Sequence, residues 1–221
     1  MTQIAYASDE DIALRAPSDY TLLCPYDQKV VAGVDGLFTA DDPWTLQSAS
    51  VNFALQGLVP GHIVQLTRPV AVFRAPGEMF AVESVKNGSV TLRRKGQISG
   101  SGQPPCSHPP CSNVEFLVTT FAPQLQRVSY ELSKRYGIDD LVSGRRTSDL
   151  YDPREVREAV VLSVLHARYL DQSREAGNNP DIFAQKSRLI LAELDDLLAR
   201  AVLNWLPSGI PTTRFSTRIT R

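Results

Sequence analysis

Three features of this sequence predict an α+β fold, with a small bent β-sheet or barrel followed by an α-helical bundle. Between Trp44 and Phe121, short runs rich in Val, Phe, Thr and Leu (HIVQLTR, EMFAVESV, SVTLRR, VEFLVTTF) alternate with the breakers Pro60-Gly61, Ala75-Pro76-Gly77 and Asn87-Gly88. That is the rhythm of antiparallel strands joined by tight turns. After Thr120 the apolar residues switch to the three-and-four spacing of amphipathic helices. At 221 residues, with 43% of them apolar, the chain has material for one large domain or two small ones without cysteine staples.

In chain order, SDEDIALRAP predicts a short helix. Ser8 or Asp9 caps it, its acidic residues complement the N-terminal dipole, and Pro17 stops it. Ile12 with Leu14 gives it only a small apolar face, so it needs a surface to lie on. Pro17, Pro25, Gly33, Gly36 and Pro43 punctuate the next stretch of chain, which reads as turns and irregular structure with a short helix at YDQKVVAG. Residues 1–43 are therefore expected as an N-terminal helix and irregular segment packed on the helical part.

The β domain is expected over 44–121. WTLQSASV alternates loosely, NFALQG forms a helical turn ending at Gly57, and the four strand-like runs come after it. Asn87-Gly88 predicts a hairpin with positive φ at both turn residues. Closure into a barrel would remove edges that so short a sheet cannot protect otherwise. The segment 95–113, KGQISGSGQPPCSHPPCSN, is a long loop inserted between strands.

A three-helix bundle is expected over 122–206. Pro123 suits a first helical position, Leu125, Val128, Leu132 and Tyr136 form the stripe, and Gly137 ends it. Asp152 and Pro153 then open a helix carrying Val156, Val160, Val161, Val164, Leu165 and Leu170, apolar over more than one face and so central. Asn179 and Pro180 open the last helix, with Phe183, Ile190, Leu194, Leu197, Ala201 and Trp205 as its stripe. Residues 207–221 remain as an extended tail; IPTTRFSTRITR is β-prone, carries three arginines and no acid, and is suited to adding a strand to a sheet edge on another chain, the other reading being a frayed terminus.

Composition excludes several function classes. The start of the chain has no basic leader followed by an apolar run, so no secretory signal is expected, and no apolar stretch is long enough for a membrane span. A formal net charge of −1 argues against a general nucleic-acid binder. Three cysteines, an odd number, do not make a disulfide scaffold, and Cys24 reads as a small buried hydrophobe.

The stretch PPCSHPPCS raises the question of chemistry. Cys106, His108 and Cys111 offer three soft ligands where a structural zinc wants four, and no second ligand pair of similar spacing exists. A zinc site, a Cys106–Cys111 disulfide and a loop with free thiols are the three readings. The expectation is a projecting loop with reduced thiols and no metal. His62 at a strand start and His166 inside a helix are expected to be ordinary partly buried imidazoles. No nucleophile motif, phosphate-binding glycine loop or dinucleotide fingerprint occurs, so no catalytic residue or cofactor is assigned. Arg93, Arg94 and Lys95, and Arg145 with Arg146, are small basic clusters.

The helical half, reading RVSYELSKRYGIDDL, LYDPREVREAVVLSVLHARYLDQ and FAQKSRLILAELDDLLARAV, resembles the head-tail connector (adaptor, or head completion) proteins of tailed bacteriophages and related prophages. The LYDP helix start, the RYL helix end and ELDDLLAR carry the likeness. DEDIALRAPSDY and AGVDGLFTADDPWTLQSASVNFALQGLVPGHIVQLT resemble a subgroup with an additional β domain. The resemblance implies a non-enzymatic structural subunit forming a ring of about twelve copies by a heterologous interface. Such a ring sits under the portal protein in the virion neck, is assembled in the bacterial host cytoplasm, extends the DNA channel and meets the next neck or tail component. It would let genomic DNA pass without specific binding and would touch no membrane. By likeness, Arg214, Phe215, Arg218, Ile219 and Arg221 would dock on the portal, and Arg93, Arg94, Lys95, Arg145 and Arg146 are candidate channel-facing residues. The alternatives are a nucleic-acid-binding module and a small enzyme with a spatially assembled site.

Overall fold

The computed structural model describes residues 5–73, 77–106, 110–138, 154–175 and 180–200. The described residues divide into two compact units, one within Ser8–Phe121 and the other built from those up to Ala7 together with those from Ala122 onward.

The first unit is a closed six-stranded antiparallel barrel: β1 (Lys29–Phe38), β2 (Thr45–Gln47), β3 (Ile63–Arg68), β4 (Glu78–Val85), β5 (Ser89–Arg94) and β6 (Cys111–Thr119), in the order β1-β2-β5-β4-β3-β6. Alternate residues point inward and fill it. Val64 and Leu66, Phe80 and Val82, Val90 and Leu92, and Val114, Phe116 and Val118 come from β3 to β6, with Phe38 and Leu46 from β1 and β2. A barrel of this size is closed by its own side chains.

β1 corrects the expectation of irregular structure over 17–43. It pairs along its length with β6, from Lys29↔Thr119 through Gly33↔Phe116 and Gly36↔Val114 to Phe38↔Cys111, with register shifts on both sides of Gly36. Gly33 lies directly across from Phe116, and a Cβ there would meet the Phe116 ring. These glycines are therefore not turn residues. Gly33 makes room for an aromatic ring, and Gly36, between two register shifts, lets β1 lie close to Leu46 and the Val114 backbone.

The N-terminal elements α1 (Asp9–Arg15) and α2 (Tyr20–Leu23) belong to the barrel unit, not to the helical one. Ser8 caps α1 in a capping box with Asp11. Its buried face is Ile12 and Ala13, while Leu14 stays half exposed. α1 packs on β3, and the Tyr20 ring stands edge-on to Phe121 with centroids 5.1 Å apart.

The Asn87-Gly88 hairpin joins β4 to β5 as expected, but neither residue has positive φ. Their carbonyls instead accept hydrogen bonds from the Phe53 N–H (2.7 Å) and Ser48 N–H (3.0 Å). The turn is thus fixed by the segment after β2 and not by left-handed backbone.

In the second unit α3 (Ala122–Tyr136) and α5 (Pro180–Arg200) both pack on α4 (Arg154–Glu175). α4 buries Val156, Ala159, Val160, Val161, Leu162, Val164 and Leu165, as its apolar girth requires. α3 ends at Gly137 (φ 65°), where the Ile138 N–H returns to the Ser133 carbonyl (2.9 Å). Tyr6 is tied to α3, its N–H donating to Ser129 Oγ (3.1 Å) and its hydroxyl bonding Ser133 Oγ (2.7 Å). The expected helix starts at Asp152, Pro153 and Asn179, the residues Ala201 and Trp205, and the tail 207–221 lie outside the described residues. No helix among the described residues is long and apolar enough to cross a membrane.

Candidate functional site

The basic end of β5 is tied to α1 by hydrogen bonds from Arg93 and Lys95. Glu10 receives Arg93 through both guanidinium nitrogens, Nη1 to Oε1 at 2.6 Å, and accepts the Gly96 N–H at 2.7 Å. Although burial opposes ionisation, the Arg93 guanidinium and the Gly96 N–H hold the Glu10 carboxyl below its ordinary value. Lys95 donates to the Ala13 carbonyl (3.2 Å). Arg94 donates to the Gln103 carbonyl (2.6 Å), sits 3.8 Å from Glu78 and lies over the Phe80 ring. The three basic residues offered as channel-facing are thus held by α1, β4 and the loop after β5.

Beside them, Asp9 is almost fully buried. Its Oδ1 accepts the Phe121 N–H at 2.6 Å, and the Thr120 hydroxyl also bonds it. Burial outweighs these donors and pushes the carboxyl up to about 6. The sequence suggested Asp9 only as a cap or a dipole partner. Its role as the carboxylate that holds the end of β6 could not be read from spacing, because Phe121 is 112 residues away.

The PPCSHPPCS reading needs correction for both cysteines. Cys106 and Cys111 lie in the barrel core with Val114 and Phe116, as free thiols, and Cys111 opens β6 opposite Phe38. They do not project. A thiol packs as a small hydrophobe, and both cysteines are buried in the core as such. Burial, then the hydrogen-bonded Cys106 thiol, push Cys111 up to about 11, so little nucleophilic thiolate forms at neutral pH. Cys24, expected as a buried hydrophobe, is only partly buried, so a water-soluble thiol reagent is expected to modify it first, and Cys106 and Cys111 only in denaturant. Mass spectrometry of the timed reaction checks this; equal rates at all three would contradict the burial. His108 lies outside the described residues, and among those described no group of three metal-capable side chains gathers.

Two histidines complete the polar inventory. His166 Nδ1 on α4 is 2.9 Å from Ser187 Oγ on α5, but Ser187 is buried and its hydroxyl also reaches the His166 carbonyl (3.2 Å). The pair acts as a helix-to-helix tie, with the oxygen closed to a substrate. His62, just before β3, is buried with Nδ1 lacking a hydrogen-bond partner among the described residues, and burial lowers its basicity. A group depressed in the folded state contributes stability above its unfolded value, and that stability is lost as pH falls through the folded one. His62→Leu, which removes the unpartnered nitrogen, is expected to stabilise the barrel by about 1–2 kcal/mol. The gain over wild type should grow below about pH 6.5, as read from urea unfolding at several pH values.

Arg145, Arg146, Arg214, Phe215, Arg218, Ile219 and Arg221 lie outside the described residues. Asp35 is an acidic residue to which the sequence reading gave no role. Asp35 on β1 accepts the Ser48 hydroxyl (2.8 Å) and the Ala49 and Ser50 N–H groups (3.0 and 2.9 Å); desolvation raises its carboxyl, but these donors together hold it below the ordinary value. A single Asp between glycines carries no signal of such long-range partners.

Fold and polar groups together define an α+β protein whose barrel is filled by its own side chains and whose buried charges join α1 to the barrel. Comparison of the chain with protein-family models, curated proteins and solved structures gave no match.

Proposed function

We propose that this chain is a structural subunit of a tailed-phage head-tail connector, assembling as a ring of about twelve copies through a repeated heterologous contact. It would sit under the portal, extend the DNA channel and carry the next neck component. The likeness of its helical sequences to that family motivates the reading. The observation that carries it is the surface of α5. Beyond the stripe that packs on α4, this helix exposes Ile182, Leu189 and Leu191, with Leu189 64% accessible. Apolar side chains on both flanks of an already packed helix suit contacts with other protein chains. Because side chains fill the barrel, a DNA channel would lie between copies and not through one.

The nucleic-acid-module alternative is weakened by the engagement of Arg93, Arg94 and Lys95 within the fold. Electron microscopy of the purified protein mixed with candidate portal rings tests the proposal. Rings seated on the portal with matching rotational order are expected. A protein that neither forms rings nor binds any portal, at any salt or concentration, would sink it.

A further inference from the structure

The barrel closes unevenly at β1. On one side β1 pairs with β6 along its length; on the other it meets β2 only at Leu37↔Gln47. Asp35 reaches across to the 48–50 segment by its side chain. From Val30 to Val34, β6 is the only hydrogen-bonded strand neighbour among the described residues. The run reads Val30-Val31-Ala32-Gly33-Val34, without charge or proline, and Val34 is 69% accessible. Edges left free are ordinarily guarded by lysine, proline or a bulge that turns them away. The bulges here take in Val30 and Val34, the two ends of this stretch, and Lys29 opens the strand, so the regularly paired part is Val31–Gly33.

The same chain carries a segment of matching chemistry. In TTRFSTRITR, residues 212–221, Phe215, Thr217 and Ile219 alternate with Arg214, Ser216 and Arg218, the period of a strand with one apolar face. On β1, Ala32 and Val34 are exposed on one face, whereas Val30 packs against the barrel core beside the register shift. The segment is basic, with Arg214, Arg218 and Arg221 and no acid, whereas β1, which opens with the exposed Lys29, has the exposed Asp27, Asp41 and Asp42 around its two ends.

We propose that the Val30–Val34 edge of β1 accepts residues 212–221 of a second copy of this chain as an added strand. Main-chain hydrogen bonds supply the binding, the apolar alternation sets the register, and the arginines meet the flanking aspartates. Donor and acceptor are different patches, so the contact is heterologous and propagates from copy to copy. In taking the strand from a neighbour and not from the same chain, the inference rests on the ring reading. It assigns this segment to the neighbouring subunit instead of the portal.

Sedimentation velocity of the full chain tests it, with Val34→Lys and Val34→Thr variants and a synthetic peptide of residues 210–221 as competitor. Association of wild type and Val34→Thr is expected. Val34→Lys, or excess peptide, should weaken it about tenfold or more, with unchanged melting temperature for the variant because Val34 is exposed. Undiminished association of Val34→Lys, or a peptide without effect, overturns the strand addition. A full chain that stays monomeric at all concentrations overturns the second-copy assignment. Rings that still seat on the portal while Val34→Lys and peptide have no effect refute this inference alone. Strand exchange without any portal binding refutes the connector reading alone.

Discussion

Gly36→Ala is expected to destabilise the barrel by about 1–3 kcal/mol, the range for forcing volume into a packed core. The added Cβ would stand 2.8 Å from the Val114 carbonyl oxygen, 2.8 Å from Leu46 Cδ1 and 3.0 Å from Val114 Cβ. The oxygen belongs to the backbone of the neighbouring strand, so relief requires β1 and β6 to separate where they pair. Gly33→Ala is expected to fall in the same range, because its Cβ would meet the Phe116 ring, with Cε1 at 2.7 Å. That ring is buried and packs 5.6 Å from Phe53, so it cannot swing away freely. Neither glycine has positive φ, which makes space and not backbone conformation the cause. Gly88→Ala is the control: its nearest neighbour would be 3.4 Å away, an ordinary contact, and little change is expected. Denaturant unfolding gives the energies, and hydrogen exchange of the β1 and β6 amides localises them. A Gly36→Ala protein as stable as the Gly88→Ala control would show that this seam does not constrain the fold.

The second large effect is expected at Asp9. Its carboxyl is raised from 3.8 to about 6 by burial, so the folded state holds a proton that the unfolded chain releases between those values. The associated stability is fully present below about pH 3.8 and is lost as pH rises through about 6, a difference of about 3 kcal/mol. Asp9→Asn keeps an oxygen to accept the Phe121 N–H while removing the ionisation. The variant is expected to match or exceed wild type above about pH 7 and to lose the upward slope of stability on acidification. Asp9→Ala, by contrast, leaves the buried Phe121 N–H without its acceptor and should cost about 1–3 kcal/mol even at neutral pH. Parallel pH–stability curves for wild type and Asp9→Asn would rule the titration out. His62 acts with the opposite sign, losing stability as pH falls, so wild type alone shows only the difference and the single variants are needed to separate the two.

Much of the barrel was legible because its strands obey local rules. EMFAVESV and SVTLRR coincide with β4 and β5, and the inward residues Phe80, Val82, Val90 and Leu92 alternate cleanly. β1 was not legible. Val31 and Gly33 sit with the inward set, but after the register shift the inward positions become Gly36 and Phe38. A bulge changes the parity of a strand partway along it, and two glycines in AGVDG imitate a turn. The site at the barrel end was less legible still. Glu10 and Arg93, or Asp9 and Phe121, are partners only because the chain returns to the same place after about a hundred residues, and no local pattern encodes such a pairing.

The sequence alone determined the fold class, the helical periodicity of the C-terminal half, most strand positions and the Ser8–Arg15 helix, because these depend on residue spacing, caps and breakers within a few positions. The tertiary structure decided which surface α1 lies on, where the Cys106 and Cys111 thiols point, what Arg93, Arg94 and Lys95 hold, and where the barrel leaves an edge. Each of these depends on which distant groups meet once the sheet closes. A thiol or a guanidinium has the same local sequence whether it faces solvent or core, and only barrel closure selects between them.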